Sequence, residues 1–467
     1  MMKPLANKSL HDIYMEKEIK LYRNLPIRLL LDRDTSKFWR GQSVCGKFPR
    51  IYDIRLRNTQ YQSLNTTNQT VLLHGAYYDD RIPGQPYIRL IAGGRFANGL
   101  PPMFCQMWFR DQKYPVEVPV AWSRYLHGNG VHGHWHPEMF FGHLITCPIP
   151  EKVIHKVPDV VTMVANSCDR SYNALKVWNE RPKKIKDFAI CVKSMWSPFK
   201  DNTKALIEWI EINIAQGAKS IQMYVQTITP NIRKVFDHYE QLGLVEIFQM
   251  EWPGSVPTSA SPWLQQWYYP NVTWIHSSFD HYAYNDCLYR NLYKFQYIAL
   301  LDLDELLMPT QHKTWRGLFQ DLKNNGNDPL DYSSIMFYHL YFFGNKTGQS
   351  QTGHAMMDSD LRTAIPIPQA WQIKGFFNTQ RNLIVFNHYT IDCITRSCET
   401  YHVDLSMGQL NHYRSDCVKV SIITPEICST MKNTLTQDTL TKRYEDPVAL
   451  NVFRTLQTID FDPIYEG

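Results

Sequence analysis

The strongest constraint on this chain is an alternation of apolar runs and amphipathic segments between Asp187 and Leu301. Phe188 to Val192 predicts a buried strand. Asp201 to Gln216 places Leu206, Ile207, Ile210 and Ile214 on one helical face, with Gly217 as the stop. Ile221 to Val225 predicts a second strand. Thr229-Pro230 opens a second helix, whose Ile232, Val235, Phe236 and Tyr239 keep helical spacing up to Gly243. Leu244 to Phe248 predicts a third strand, Ser277 caps a helix running to about Tyr293, and Tyr297 to Leu301 predicts a fourth strand. Strands and helices repeated in this order predict an α/β fold with a largely parallel, Rossmann-type sheet and right-handed crossovers. Ligands of such sheets bind beyond the carboxyl ends of the strands. Asp302 follows the fourth strand immediately.

A chain of 467 residues is too long for one ordinary core. Residues 1–65 are polar and irregular, and read as a stem or surface arm. Residues 66–182 hold short alternating runs split by Gly and Pro, such as Tyr87 to Ile91 and Val116 to Val120, and read as a β-rich accessory domain. The α/β domain is expected over 183–445, with 446–467 as a C-terminal tail. The formal charge of +5 is spread along the chain and forms no nucleic-acid stripe. No stretch approaches the roughly 20 apolar residues of a membrane span, and Met1 to Lys20 lacks a signal-peptide core. Membrane association is therefore expected only through a segment outside this sequence.

Ten cysteines include no CxxC pair, which argues against a zinc ribbon. Their even number fits disulfides in an oxidising compartment, and equally buried thiols in a reducing one. N-x-Ser/Thr triplets at Asn7, Asn65, Asn68, Asn271 and Asn345 tip the reading toward a lumen.

Asp302-Leu303-Asp304 stands at the predicted strand end, followed by Glu305. On extended backbone, residues i and i+2 point the same way. Three carboxylates at the mouth of a buried strand are costly without a cation or partners. Mg²⁺ and Mn²⁺ take oxygen ligands, and one or two carboxylates plus substrate phosphates commonly suffice. The alternative is a solvated turn.

Three pieces resemble glycosyltransferase family 92. The first is Cys191-Val192-Lys193 followed by Glu208-Trp209 and Gly217-Ala218. The second is Asn285-Asp286-Cys287-Leu288-Tyr289-Arg290 leading into Asp302 to Leu307. The third is Arg381 to Val385 followed by Asn411-His412-Tyr413-Arg414. The resemblance implies a GT-A-like catalytic domain, a UDP-sugar donor, and a glycan or glycoprotein acceptor. It implies transfer of a hexose, galactose above others, with inversion, and a Golgi or secretory location. It also implies that Asp302, Asp304 and His412 hold Mn²⁺ or Mg²⁺. Lys193, Asn285, Arg290, Asp302, Arg381 and Arg414 would then face the nucleotide sugar, since guanidinium matches phosphate oxygens well. The chain departs from the family pattern at Phe386-Asn387-His388, where a proline is expected after Ile384-Val385.

An inverting enzyme needs a carboxylate base. Asp358, Asp360, Asp392, Glu399 and Asp404 are available, and Glu399 and Asp404 are favoured as closest in sequence to His412. His132-Gly133-His134-Trp135-His136 could present three imidazoles to zinc, but a Gly-rich polar loop is the favoured reading. Neither a G-x-S-x-G elbow nor a P-loop is present. The rival functions are a non-catalytic glycan-binding relative and a glycoside hydrolase working through paired carboxylates.

Overall fold

The structure, a computed structural model, describes residues 9–41, 45–67, 69–94, 99–126, 141–197, 200–251, 272–344, 354–367, 373–417 and 424–463, with backbone alone at 36 and 272–279. The His132 to His136 motif lies outside the described residues. The chain forms two compact units: Met1–Glu180 with Gln249–Arg290, and Arg181–Phe248 with Asn291–Gly467.

The first unit is built on one sheet of nine strands: β1 (Gln62–Asn65), β2 (Thr70–Asp79), β3 (Tyr87–Gly94), β4 (Phe104–Trp108), β5 (Val116–Pro119), β6 (Trp122–Tyr125), β7 (Phe141–Pro148), β8 (Val160–Val164) and β9 (Leu175–Trp178). The order is β5-β4-β8-β9-β2-β3-β7-β6, with β1 added to β2. This is the β-rich stretch that alternating apolar residues and turn signals predicted. Where a stem was expected over residues 1–65, the described residues from Leu25 onward contribute to a core. Helices Leu10–Leu21, Ile27–Leu31 and Arg33–Trp39 precede β1. Leu25, Ile27, Leu30, Trp39 and Phe48 share a core with Trp108 and Val160. The apolar residues responsible are spaced too irregularly to signal a long amphipathic helix, so polarity dominates the reading. Trp39 lies 4.8 Å from the Phe48 ring and its indole donates to the Phe109 carbonyl at 3.0 Å. Trp39→Ala is expected to destabilise the first unit by about 3–5 kcal/mol, read as a shifted urea midpoint.

The second unit holds β10 (Lys186–Ser197), β11 (Ile221–Ile228), β12 (Val245–Gln249), β13 (Phe295–Leu301), β14 (Glu305–Pro309), β15 (Ser334–Phe337), β16 (His339–Phe342), β17 (Leu361–Thr363), β18 (Lys374–Asn378), β19 (Asn382–Val385), β20 (Thr390–Cys393), β21 (Thr400–Val403), β22 (Gly408–Tyr413) and β23 (Leu435–Gln437). Its main sheet runs β12-β11-β10-β13-β18-β15-β21. β10 pairs in parallel with both β11 and β13, as the βα repeat requires. Helix Thr203–Gln216 buries Leu206, Ile207, Trp209 and Ile210, and ends at Gly217, whose φ of +123° suits glycine. Helix Pro230–Gln241 starts where Thr229 caps Ile232 N at 3.3 Å.

Beyond β13 the sheet turns antiparallel, because β18 pairs antiparallel with both β13 and β15. Gly375 makes this pairing possible: a Cβ there would lie 1.9 Å from the Ile335 carbonyl oxygen. A second sheet, β14-β22-β16-β17-β23, carries the segment after the acidic motif. Residues after 445, expected as a tail, form helix Glu445–Thr458. Val448 and Val452 join the core around Trp209, and Asn451 donates to Glu211 at 2.8 Å.

Candidate active site

The strand order β12-β11-β10-β13 reverses direction between β10 and β13. Open α/β sheets bind ligands at this switch point, outside the carboxyl ends. Val192 of β10 pairs with Leu301 of β13. The next residue on each strand is therefore Lys193 and Asp302, and the Lys193 Nζ lies 3.2 Å from Asp302 Oδ1.

The other oxygen of Asp302 lies 3.2 Å from Lys374 Nζ. Lys374 opens β18, is buried, and also reaches Glu305 Oε2 at 3.0 Å and Asn387 Oδ1 at 2.5 Å. Three acceptors thus surround one ammonium. Glu305 Oε2 further accepts the Asp302 amide at 3.0 Å, closing the turn of the acidic motif. Burial works to raise the Asp302 carboxyl, but Lys193 and Lys374 overcome it and hold the group well below the usual carboxylate range. Glu305 is pushed up, by burial first and by the Asp302 charge, against the pull of Lys374. His388, beside Asn387, is pushed down to about 3 by burial and by the Lys374 charge.

Asp304 points elsewhere. Its Oδ2 lies 3.1 Å from His412 Nε2 and 3.6 Å from Arg414 Nη1. The register of β14 with β22, Glu305 opposite His412, places them together. The Tyr413 amide donates to the Asp304 carbonyl at 2.8 Å. Behind His412, its Nδ1 lies 2.8 Å from His339 Nε2. One of these nitrogens carries the proton between them, and this contact orients the imidazole.

The donor chemistry fits a divalent cation on Asp304 and His412: a carboxylate and an oriented imidazole, with the Asp304 side chain 41% exposed so that substrate oxygens can complete a shell. Asp302 fits less directly, since both its oxygens already face ammonium groups. Two other groupings of potential ligands, Cys45-Glu117-Cys168 and Asp416-Cys417-Cys428, contain disulfide sulfurs rather than thiolates.

Of the predicted residues, Lys193, Asp302, Asp304, His412 and Arg414 come together. Arg381 lies apart from them in contact, bonding the Leu330 carbonyl at 2.6 Å and facing Asp331 at 3.8 Å. Asn285 and Arg290 belong to the first unit's interior. Asn285 donates to the His281 carbonyl at 2.9 Å. Arg290 is held by Asp286 at 2.6 Å and by Asn24 at 2.8 Å, with its guanidinium over Trp178. Glu399 and Asp404 flank β21, both exposed: Glu399 accepts from Ser397 at 3.4 Å and Asp404 from the Ser406 amide at 2.8 Å. Lys374 and His339 escaped the sequence reading. A lysine heading the apolar run Lys374 to Phe377 was the available signal for the first; nothing distinguished His339 among 17 histidines.

Glu208 marks a second electrostatic feature. Its side chain is fully buried, one oxygen accepts the Met356 and Met357 amides at 3.0 and 2.9 Å, and Oε2 has no hydrogen-bond partner among the described residues. Burial pushes its carboxyl up to about 7. A raised folded pKa means that the native state binds the extra proton. The stability this provides is complete below the ordinary glutamate value of 4.5 and is lost as pH rises toward about 7. Relative to Glu208→Gln, the protein is expected to lose on the order of 3 kcal/mol across that window, read by urea denaturation at several pH values.

An open α/β sheet with carboxylates, a histidine and cations at its switch point has the layout of a nucleotide-type ligand site. The family model of glycosyltransferase family 92 matches residues 186–450, more than half of the chain, and the chain belongs to that family. No curated protein matches the chain. Among solved structures, the apo structure of the bifunctional glycosyltransferase WbbM is similar at 11% identity and a TM-score of 0.18, covering 47% of this chain. The match spans 35% of that chain. Among the described residues, no helix is long and apolar enough to cross a membrane.

Proposed function

We propose that the chain transfers a hexose, galactose above others, from a UDP-sugar to a glycan acceptor with inversion, using Mn²⁺ or Mg²⁺. The observation that carries this reading is the pairing of Lys193 with Asp302 at the switch point beside the pairing of Asp304 with His412. Asp304 and His412 would hold the cation, which supplies Lewis acidity toward the leaving diphosphate. Lys193 and Arg414, 39% and 38% exposed, flank the acidic motif and would bind phosphate oxygens. Lys374 and Glu305 keep Asp302 in place. Glu399 and Asp404 remain the proposed bases, because both carboxylates are open to an acceptor hydroxyl. A secretory location is supported by the oxidised cysteines: none is free.

The test is release of UDP from a panel of UDP-sugars, with Mn²⁺ and a glycan acceptor. Turnover of UDP-galactose that disappears with chelator is the expected result. Sugar release without nucleotide would favour a hydrolase, and the absence of any turnover or UDP binding would favour a non-catalytic relative. Of Glu399→Gln and Asp404→Asn, the variant that loses turnover while retaining UDP affinity marks the base.

A further inference from the structure

Of the five N-x-Ser/Thr triplets, Asn65-Thr66-Thr67 is the one whose asparagine is described, and it closes a β-hairpin. β1 and β2 are antiparallel, and Asn65 stands opposite Thr70, the last pair before the turn. The turn is tight: the Thr66 amide donates to the Gln69 carbonyl at 2.9 Å and the Thr66 hydroxyl to the same oxygen at 2.7 Å. Alternation along β1 buries Leu64 and turns Asn65 outward; Asn65, Thr67 and Thr70 are all exposed. Asn65 Oδ1 accepts the Thr70 hydroxyl at 3.2 Å, while its Nδ2 donates to no described residue. The hairpin tip therefore presents the one atom that N-glycosylation modifies, and holds the carboxamide by the other.

An independent observation bears on the compartment. Within the same unit Cys45 joins Cys168 and Cys105 joins Cys147, and in the second unit Cys393 joins Cys398 and Cys417 joins Cys428. Disulfides of this density belong to chains that mature in an oxidising lumen, where asparagine-linked glycans are added.

We infer that Asn65 is an N-glycan acceptor. Its Nδ2 forms a bond to the anomeric carbon of a lipid-diphosphate-linked oligosaccharide. The bond from that carbon to the diphosphate oxygen breaks, the diphosphate leaves with the electron pair, and one amide proton is lost. The Oδ1 contact to Thr70 survives, because that oxygen takes no part.

The overlapping triplet Asn68-Gln69-Thr70 makes a discriminating experiment available. Thr67→Ala destroys the Asn65 triplet alone, and Thr70→Ala the Asn68 triplet alone. The full chain and both variants, passed through the secretory pathway of mammalian cells, are weighed intact before and after a peptide-N-glycosidase. Thr67→Ala is expected to remove one oligosaccharide that Thr70→Ala retains, and the enzyme is expected to convert Asn65 to aspartate in the wild-type peptide. An unchanged mass in Thr67→Ala, loss in Thr70→Ala alone, or an Asn65 untouched by the glycosidase would overturn the assignment. Asn65→Gln, which leaves both threonines in place, must lose the same oligosaccharide as Thr67→Ala.

Discussion

Asp304→Ala is expected to lower UDP release from the donor by about a thousandfold while leaving the fold intact. The magnitude follows from the several kcal/mol that a divalent cation contributes to a leaving group, at 1.36 kcal/mol per factor of ten. The fold should survive because the Asp304 side chain is 41% exposed and its structural bond, from the Tyr413 amide, uses the backbone carbonyl. His412 would keep its contact with His339. Circular dichroism and the urea midpoint check the fold; initial rates of UDP release check the chemistry. Unchanged turnover would remove Asp304 from the mechanism.

Lys374→Met is expected to act mainly on stability, by about 3–5 kcal/mol, because removing one partner of a buried ion pair strands the other charge. Lys374 is buried with Glu305, and the pair lies at 3.0 Å. Lys193 still faces Asp302, so the uncompensated group is chiefly Glu305. The double variant Lys374→Met with Glu305→Gln should therefore recover part of the loss. Urea denaturation of the three proteins checks the prediction. Equal midpoints for the single and double variants would contradict a paired role for Glu305. Activity should fall in both, since Asp302 loses the contact that fixes its second oxygen.

The parts of the second unit that were legible in sequence are those built from local signals. Gly217, Thr229-Pro230 and Gly243 punctuate helices, and the runs after Asp187 and before Asp302 mark parallel strands. The antiparallel insertion of β18 between β13 and β15, and the parallel pairing of β15 with β21, were not legible, because strand pairing depends on segments distant in sequence. Lys374 illustrates the consequence. It looks like a surface residue at a strand start, yet β18 beside β13 carries it under Asp302.

The site divides in the same way. Asp302 and Asp304 were readable from a short motif at a strand end, and His412 and Arg414 from their order in the family pattern. Residue type and order, however, say nothing about burial. Arg290 was expected to face the nucleotide sugar, but Asp286 one turn earlier on the same helix takes its guanidinium. Burial works to raise Asp286, and Arg290 with His74 overcomes this and holds it ionised, far below the usual range. Arg381 follows a similar rule, a strand-end arginine facing Asp331. The C-terminal helix was missed because its buried Val448 and Val452 alternate with exposed Leu450 and Phe453, which blurs the stripe, and because they cover a core formed much earlier in the chain.

The most direct test of the central claim is calorimetric titration of UDP into the chain with and without Mn²⁺, for wild type and Asp304→Ala. Binding to wild type that needs Mn²⁺, and the loss of this dependence in Asp304→Ala, is the predicted result. UDP binding of equal strength with chelator or with the variant, or no binding to wild type at all, would contradict a metal-assisted nucleotide-sugar site at Asp304 and His412.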